Sequence, residues 1–368
     1  MVGAACAYYA GLAGLSVTVV DRGSVAGGTT GSGEGNILVS DKEPGPELDL
    51  ALLSAGLWRE LAAEVSGFEY EPKGGLVVAG SPSNLTGLRS FAAGQARAGV
   101  VAEEVSDLLA LEPALAPGLA GGVHYPQDAQ VQPMLAAARL LQAARTRFGA
   151  RVRTGVTVTG LLRSGSGQVV GARTSQGDLG ADAVVNAAGT WGGSVADLAG
   201  VSVPVLPRRG FILVTEPLPP VIRHKVYAAD YVANVASSAA GLETSVVVEG
   251  TPSGTVLIGA SRERVGFDRT MSLPVLRRLA AQAVALFPFL RDVAAMRAYC
   301  GFRPYCPDHL PVIGPDPRAP GLLHACGHEG AGIGLAAATG HLLAQTLTGT
   351  PPDLDLAPFR PTRFQSAR

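Results

Sequence analysis

The feature that most constrains this chain is a pair of glycine-rich segments between Cys300 and Leu335, both predicted to form turns. The first reads CGFRPYCPDHLPVIG from residue 300, and the second reads ACGHEGAGIGL from residue 325 and continues into an apolar stretch of helical periodicity. Glycines at this density before a helix let a ligand approach backbone N–H groups and the positive end of the helix dipole. Arg303 adds a planar guanidinium that suits a carboxylate. The sequence therefore predicts a ligand-binding site here.

The composition limits the partners that the protein can have. The chain has 368 residues, of which 47% are hydrophobic and 16% charged, with a formal net charge of −1. This charge gives no basis for binding nucleic acid. Four cysteines without a C-x-x-C pair indicate neither a disulfide framework nor a metal site, and favour a reduced, cytoplasmic setting. Because no apolar run reaches about 18 residues, no transmembrane segment is predicted.

The order of predicted elements indicates an α/β protein of mixed α+β character. Helices are predicted over Gly3–Gly14, Glu47–Val65, Leu85–Ala98, Val105–Leu111, Pro133–Phe148, Leu273–Phe287 and Ile333–Leu347. Strands are predicted over Ser16–Val20, Gly74–Gly80, Arg151–Leu162, Val169–Thr174, Ala183–Asn186, Gly210–Thr215, Val246–Glu249 and Thr255–Ile258. This interleaving favours a nucleotide-binding domain interrupted by a second domain. The first consists of residues 1–65, 134–205 and 300–349, the second of 66–133 and 206–299, and a tail of 350–368 follows.

The first residues match the second half of a dinucleotide-binding motif. Such a motif is a strand, then G-x-G-x-x-G opening a helix, then a second strand ending in Asp or Glu. Gly3 would be its last glycine and Asp21 the acidic residue that accepts hydrogen bonds from ribose, so the first strand and two glycines would lie upstream of Met1. A start placed too late, a truncated chain and a genuine short form with weakened cofactor binding would each account for this. We favour the first.

Three further segments complete a recognisable pattern: GGTTGSGEGN from residue 27, GARVRTGVTV from residue 149 and VVNAAGTW from residue 184. Together with the glycine-rich segments around Arg303, they resemble the FAD-dependent D-amino-acid oxidase family, which includes glycine and sarcosine oxidases and amino-acid dehydrogenases. The resemblance covers nearly the whole chain except its start. It implies a Rossmann-like FAD-binding domain interrupted by an antiparallel-sheet substrate domain.

The resemblance also implies where FAD would lie. Hydroxyls and amides of the 27–36 loop would meet the pyrophosphate, the backbone of Val158 would hold the adenine, and the amides of 327–334, with the helix opening at Ile333, would face the flavin's pyrimidine edge. The implied cofactor-binding residues are Gly3, Asp21, Arg22, Thr29, Thr30, Gly33, Glu34, Gly35, Asn36, Val158, Ala188, Gly189, Trp191, Gly301, Gly327, His328, Glu329, Gly330, Gly332 and Ile333. Gly301 stands where sarcosine oxidases carry the flavin-linked cysteine, and Cys300 is one residue away, so noncovalent FAD is expected.

For the substrate, the resemblance implies that Arg303 pairs with its carboxylate. His328 would contact the flavin or line the pocket. Tyr231 is a candidate for the role of the substrate-site tyrosine of glycine oxidases, since Val247 stands at that tyrosine's place. Glu34 also departs from the glycine oxidases, and its carboxylate either binds a cationic group of the substrate or faces solvent.

Other residues carry weaker indications. Arg208, Arg209 and Arg262 are further candidates for substrate binding, with a surface position as the alternative. His324, Cys326 and His328 lie close enough in sequence to suggest a metal. They straddle a strand end and a glycine turn rather than one helix face, so no metal is predicted.

The implied reaction is oxidation of an amine alpha to a carboxylate in a small amino acid, imino acid or opine. Hydride passes from Cα to flavin N5, and the imine hydrolyses; no catalytic base is predicted. The segment SGEGNILVSDK from residue 32 is more similar to subunits of bacterial opine- or amino-acid-dehydrogenating complexes than to stand-alone oxidases, so either oxygen or an electron-accepting partner subunit could take the electrons. Two alternatives remain: a non-catalytic, FAD-deficient subunit, and an NAD(P)-linked dehydrogenase, since Asp21 suits either dinucleotide.

Overall fold

The protein has a mixed α/β fold. A computed structural model describes residues 1–231 and 237–364. Its α-helices are α1 (Val2–Leu12), α2 (Pro46–Glu64), α3 (Pro82–Ala96), α4 (Leu108–Leu111), α5 (Pro133–Phe148), α6 (Gly192–Asp197), α7 (Leu273–Leu286) and α8 (Ala336–Thr348). Its strands are β1 (Thr18–Asp21), β2 (Asn36–Ile37), β3 (Gly75–Ala79), β4 (Glu103–Val105), β5 (Gly121–Tyr125), β6 (Ala129–Gln130), β7 (Arg151–Thr154), β8 (Val158–Arg163), β9 (Val169–Thr174), β10 (Gly177–Gly180), β11 (Val184–Asn186), β12 (Leu206–Thr215), β13 (Lys225–Ala228), β14 (Glu243–Gly250), β15 (Val256–Arg262), β16 (Ala295–Tyr305), β17 (Val312–Pro315) and β18 (Leu322–Cys326).

Small parallel pairings and two helices bring the beginning, middle and end of the chain together. β1 pairs in parallel with β7, and β11 pairs in parallel with β18, which pairs antiparallel with β17. α1 lies so close to α8 that a Cβ on Gly340 would be 2.6 Å from the carbonyl carbon of Ala5. A Cβ on Gly3 would be 3.3 Å from the Cβ of Ala187, just after β11. Glycine therefore permits the close approach at both places.

A large mixed sheet forms the other part of the fold. Its order among the described residues is β16-β12-β15-β14-β13-β3-β5-β4, and the β13–β3 pairing is parallel whereas its other neighbouring strands are antiparallel. Alternate residues of β14 point to opposite faces. Val246 and Val248 pack in the cluster that contains α7, and Val247 packs in the main core with Tyr227 and Ala260. The face opposite α7 is the one that bears the candidate site.

Most predicted elements are present with shifted ends, but several predictions were wrong. The Arg-Pro segment after Cys300 is not a turn, because it belongs to β16, which pairs with β12 along its length. The final helix begins at Ala336 rather than Ile333, because a 3-10 turn over Glu329–Ala331 comes first. The strand predicted over Arg151–Leu162 is divided into β7 and β8 near Gly155, whose φ of +68° bends the chain.

Other elements gave no clear sequence signal or a misleading one. A helix was predicted over Val105–Leu111, but Val105 is the last residue of β4 and the helix begins only at Leu108. Asp107 caps this helix by accepting a hydrogen bond from the amide of Ala110. Strands β2, β4, β5, β6, β13 and β17 were among those missed. None of the helices in the described part of the chain is long and apolar enough to cross a membrane.

The predicted domain boundary between residues 299 and 300 falls inside β16. Residues 232–236 of the predicted second domain and residues 365–368 of the predicted tail lie outside the described residues.

Candidate active site

Three glycine-containing segments that are far apart in sequence meet beside β16. A Cβ on Gly301 would lie 2.6 Å from the Cβ of Ser32, and one on Gly330 would lie 3.5 Å from Nε of Arg303. The Thr29 hydroxyl donates to the carbonyl of Phe302 at 2.7 Å and lies 3.1 Å from Oγ1 of Thr190. The structure thus brings the 27–36 loop and both glycine-rich segments together, as the sequence pattern predicts for a common site.

The 33–36 part of this loop is buried. Glu34 is 7% exposed, and its Oε2 lies 3.5 Å from Nδ2 of Asn36. Oε1 of Glu34 and Oδ1 of Asn36 are buried without a hydrogen-bond partner among the described residues. Burial raises the pKa of Glu34, although the positive charge of Lys225 opposes the rise. Of the two alternatives for Glu34, exposure to solvent is therefore excluded.

A buried ion pair, which the sequence reasoning missed, holds this loop in place. Lys225 and Glu249 pair with each other and are 1% and 2% exposed. Glu249 Oε2 also accepts a hydrogen bond from the amide of Gly35 at 3.2 Å. The sequence did contain a signal, because each charged residue adjoins an apolar strand segment. Lys225 comes directly before Val226-Tyr227, and Glu249 comes directly after Val246–Val248. Such a residue needs a partner when it is buried.

Arg303 lies in the middle of the site without a carboxylate partner. Its Nη1 donates to the carbonyl of Ser261 at 2.8 Å, and no ion pair to Arg303 occurs among the described residues. Burial lowers the pKa of Arg303, and the nearby charge of Arg262 lowers it further. Tyr231, the predicted substrate-site tyrosine, is buried beside these arginines, with its ring centroid 5.0 Å from Cζ of Arg262. The structure therefore brings Arg303, Tyr231 and Glu34 together.

Arg208, in contrast, is a structural residue. Its side chain is fully buried and donates from Nη1 to Glu329 at 2.5 Å and from Nη2 to Glu243 at 3.0 Å. Glu329 also meets Nδ1 of His309 at 2.9 Å. Burial alone would raise the pKa of Glu329, but its bonds to His309 and Arg208 lower it overall. The Glu329 side chain thus joins the C-terminal glycine turn to β12. Because the carboxylate is used in this way, the predicted cofactor contact of Glu329 would have to come from its backbone.

The two histidines near Cys326 are bound to other protein groups. Nε2 of His328 lies 3.0 Å from Oγ1 of Thr339 on α8, and burial lowers the pKa of His328 to about 3, so its imidazole is neutral. His324 lies between Asn186 and Asp316, at 3.1 and 3.2 Å. Neither imidazole is directed towards the other. The part of the chain that the structure describes contains no group of three or more potential metal-binding side chains.

The turn before α8 offers unpaired backbone donors. The carbonyl of Gly334 accepts hydrogen bonds from Nε1 of Trp58 at 3.0 Å and from the Ser54 hydroxyl, which fixes the turn against α2. No hydrogen bond within residues 1–231 and 237–364 uses the amides of Gly332, Ile333 and Gly334. Gly327, earlier in the same segment, has a φ of +75°, and a Cβ there would lie 2.5 Å from Sγ of Cys306. A ligand with oxygen acceptors would satisfy the free amides.

The residues predicted to hold the nucleotide end lie around the carboxyl ends of β1 and β11. Oδ1 of Asp21 accepts from the amide of Gly23 at 2.8 Å, and its side chain is exposed. Cζ of Arg22 lies 4.0 Å from the ring centroid of Trp191. The Trp191 ring also stacks on the ring of Phe267, with the two centroids 5.4 Å apart. Trp191 follows Gly189, whose φ is +55°. Oγ1 of Thr30 lies 2.7 Å from the amino group of Met1, and Val158 begins β8. Their nucleotide-binding roles remain predictions.

Comparison with known proteins agrees with this geometry. Residues 1–346 match the profile of a family described as "FAD dependent oxidoreductase" (DAO). The chain is 35% identical over 262 residues to hydrogen cyanide synthase subunit HcnC of Pseudomonas aeruginosa, covering 70% of this chain and 58% of that protein. It is 30% identical over 254 residues to glycine oxidase of Pseudomonas putida, covering 68% of this chain and 64% of that protein. The matches thus span about three fifths of these relatives.

Solved structures show the same fold. The crystal structure of glycine oxidase from Geobacillus kaustophilus superimposes with a TM-score of 0.89 at 27% identity, covering 99% of this chain and 96% of that one. L-proline dehydrogenase from P. horikoshii gives a TM-score of 0.89 at 21% identity, covering 99% and 95%, which shows a common fold.

Proposed function

Because the chain belongs to the DAO family of FAD-dependent oxidoreductases, we propose that it oxidises the C–N bond of a small amino acid, imino acid or opine. The chemistry that FAD would supply here is acceptance of a hydride from the substrate Cα, after which the imine would hydrolyse in water. The residues of this chain bind and orient the amine and the carboxylate and keep solvent away from them.

The observation that carries this proposal is the unpaired Arg303. A partly buried guanidinium that donates to the carbonyl of Ser261 and forms no ion pair with a carboxylate among the described residues keeps N–H groups available for a ligand. A substrate carboxylate supplies the charge and the planar geometry that these groups match. Oε1 of Glu34, a buried acceptor without a donor, is suited to the N–H groups of the substrate amine.

The site also fits FAD bound without a covalent link. The free amides of Gly332, Ile333 and Gly334 can donate to the oxygen-rich edge of a flavin and stabilise negative charge there. Gly301 faces Ser32 so closely that no larger side chain fits, whereas Cys300 packs on the other face of β16 in the cluster around α7. The thiol nearest to the predicted linkage position therefore points away from the site.

Two further parts of the proposal concern the setting. The cysteines Cys6, Cys300, Cys306 and Cys326 are all free, which supports a reduced compartment such as the cytoplasm. The acceptor of the electrons is oxygen or a partner subunit, and the relative HcnC is itself named as a subunit.

The test is flavin reduction by amines. The purified protein is loaded with FAD, and the loss of flavin absorbance is followed without oxygen as amino acids, imino acids and opines are added. We expect reduction by an amine that carries a carboxylate. Arg303→Met should lower kcat/KM by about 100-fold or more, because it leaves the substrate carboxylate unpaired, and Arg303→Lys should restore part of the loss.

The other outcomes identify the alternatives. Failure to bind FAD would favour a non-catalytic subunit, and reduction of the protein by NAD(P)H but by no amine would favour an NAD(P)-linked enzyme. Either result would overturn the proposal. Reoxidation by oxygen, compared with an artificial dye, then separates an oxidase from a dehydrogenase.

A further inference from the structure

Two arginines, rather than one, lie at the end of β15 without a carboxylate partner in the described part of the chain. Arg303 donates to the carbonyl of Ser261, and Arg262 is the next residue of β15. Arg262 is 4% exposed, and its Nη1 is buried without a hydrogen-bond partner among the described residues. Its contact with the Tyr231 ring does not use that nitrogen's hydrogen-bonding capacity. A buried guanidinium donor without an acceptor is unfavourable unless a ligand supplies one.

The acceptors of the site approach the same stretch of β15. Oε1 of Glu34 lies only 2.7 Å from where a Cβ on Gly259 would be, so this carboxylate is packed directly on the strand. Oδ1 of Asn36, two residues along the loop, is the second buried acceptor without a donor. Residues 259–262 therefore have Glu34 packed at Gly259, Arg303 bonded at Ser261, and Arg262 itself as the next residue.

Hydrogen bonding around these two arginines is incomplete without a ligand. The other nearby buried cations have partners, since Lys225 pairs with Glu249, and Arg208 pairs with Glu243 and Glu329. Arg303 lies near the negative charges of Glu34 and Glu329, but neither Arg303 nor Arg262 forms an ion pair with a carboxylate among the described residues. A zwitterion with one carboxylate would pair with one guanidinium and leave the other without a hydrogen-bonded carboxylate, which is unfavourable in a buried site. An amine that carries two carboxylates would satisfy both.

We propose that the substrate is an amine with two carboxylates, of which Arg303 binds one and Arg262 the other, while the amine lies against Glu34 and Asn36. This inference rests on the proposed oxidation of a C–N bond and specifies its substrate class. Arg262 is then the residue that sets the specificity. The second carboxylate can lie on the nitrogen substituent or on the amino-acid side chain, and the test separates these two sources.

The test compares matched substrates that differ by one carboxylate. kcat/KM is measured for N-(carboxymethyl)glycine against N-methylglycine, and for aspartate against alanine, in the FAD-loaded protein. We expect the dicarboxylate of one pair to be preferred by about 10- to 100-fold, because a charge-assisted contact is gained. Arg262→Met should reduce that preference towards one. Arg264→Met, two residues along the chain and outside the site, should leave the preference unchanged.

Binding of non-oxidisable ligands gives a second readout that needs no variant. Oxydiacetate has two carboxylates and methoxyacetate has one, and both perturb a bound flavin's spectrum if they enter the site. We expect oxydiacetate to bind the native protein more tightly by a similar factor. Equal binding of oxydiacetate and methoxyacetate would overturn the inference. So would a loss of kcat/KM in Arg262→Met that is the same for both members of each substrate pair, because both arginines would then bind a single carboxylate. Absence of flavin reduction by every amine would instead overturn the proposed function.

Discussion

Arg208 and Arg303 are direct partners across β12 and β16, yet their surroundings are opposite in character. Arg208 is fully buried between the carboxylates of Glu243 and Glu329. Arg303 has one hydrogen bond, to a neutral carbonyl. Residues directly opposite in an antiparallel pair share a face, where like charges repel. The repulsion is tolerated because one of the two arginines is permanently neutralised.

The difference distinguishes arginines that stabilise the fold from arginines that are available to bind a ligand. Around Arg208, the protein supplies its own counter-charges, and these connect β12, β14 and the glycine turn before α8. Around Arg303 and Arg262, no carboxylate of the described residues forms an ion pair with either guanidinium. Charged groups that a fold leaves unpaired in a buried place are typical of binding and catalytic sites.

The largest expected effect is on stability, at Arg208. Arg208→Met removes the partner of two largely buried carboxylates, and we expect the free energy of unfolding to fall by about 3–5 kcal/mol. Arg303→Met should change it by less, about 1 kcal/mol, because the partner left behind is the neutral carbonyl of Ser261 and not a carboxylate. Urea unfolding of both variants measures the contrast. A loss at Arg303 as large as that at Arg208 would mean that Arg303 is structural as well.

A smaller effect should separate the two arginines through ligand binding. Acetate that occupies the free side of Arg303 stabilises the folded protein, by about 2.7 kcal/mol at 100 times its dissociation constant. We expect this stabilisation in the native protein and its loss in Arg303→Met, measured as the shift of the unfolding transition with acetate. Equal stabilisation of both proteins would place the bound carboxylate elsewhere.

The smallest effect concerns two glutamates with opposite pKa shifts. The lowered pKa of Glu329 means that its stabilisation is present above its ordinary value of 4.5 and is lost as the pH falls through the folded value. Burial raises the pKa of Glu34, so stability falls as the pH rises from 4.5 through its folded value. Each proton changes the slope by at most about 1.4 kcal/mol per pH unit.

Near neutral pH, Glu329→Gln should therefore be less stable than the native protein, and Glu34→Gln more stable. The difference for Glu34 should shrink as the pH falls towards 4.5, and the difference for Glu329 should shrink only as the pH falls further, from 4.5 through its lowered folded value, so the measurements run from neutral pH to well below 4.5. Unfolding free energies measured across this range test the signs, and differences of the same sign for the two variants would contradict the comparison.

The sequence predicted the site from its glycines better than from its charges. Gly301 and the 327–334 segment stand out because dense glycine before an apolar helix is typical of a turn that a ligand approaches closely, and Arg303 lies beside them in sequence. The partners of the buried charges could not be predicted in this way. Lys225 and Glu249 are 24 residues apart, and Arg208 and Glu329 are 121 apart. A charge in an apolar strand indicates a partner but not its identity.

The fold shows the same limit. Glycine and proline around Arg303 suggested a turn, but pairing of β16 with β12 over its whole length outweighs the weak strand propensity of those residues. Arg262 stood among several arginines with nothing to distinguish it. Its place beside Arg303 depends on the register of β15 with β12, which is set by the sheet as a whole.

The close contact between α1 and α8 also affects how the protein folds during synthesis. α1 is synthesised before the other described helices and packs against α8 through Gly340 and Ala5. β1 and β11 pair with β7 and β18, which are synthesised later. Contacts of such long sequence separation form slowly. The strands and α7 that make up the large sheet lie between these segments, so much of that sheet can form while the apolar face of α1 is still uncovered. During synthesis this exposed helix is a natural place for a chaperone to bind.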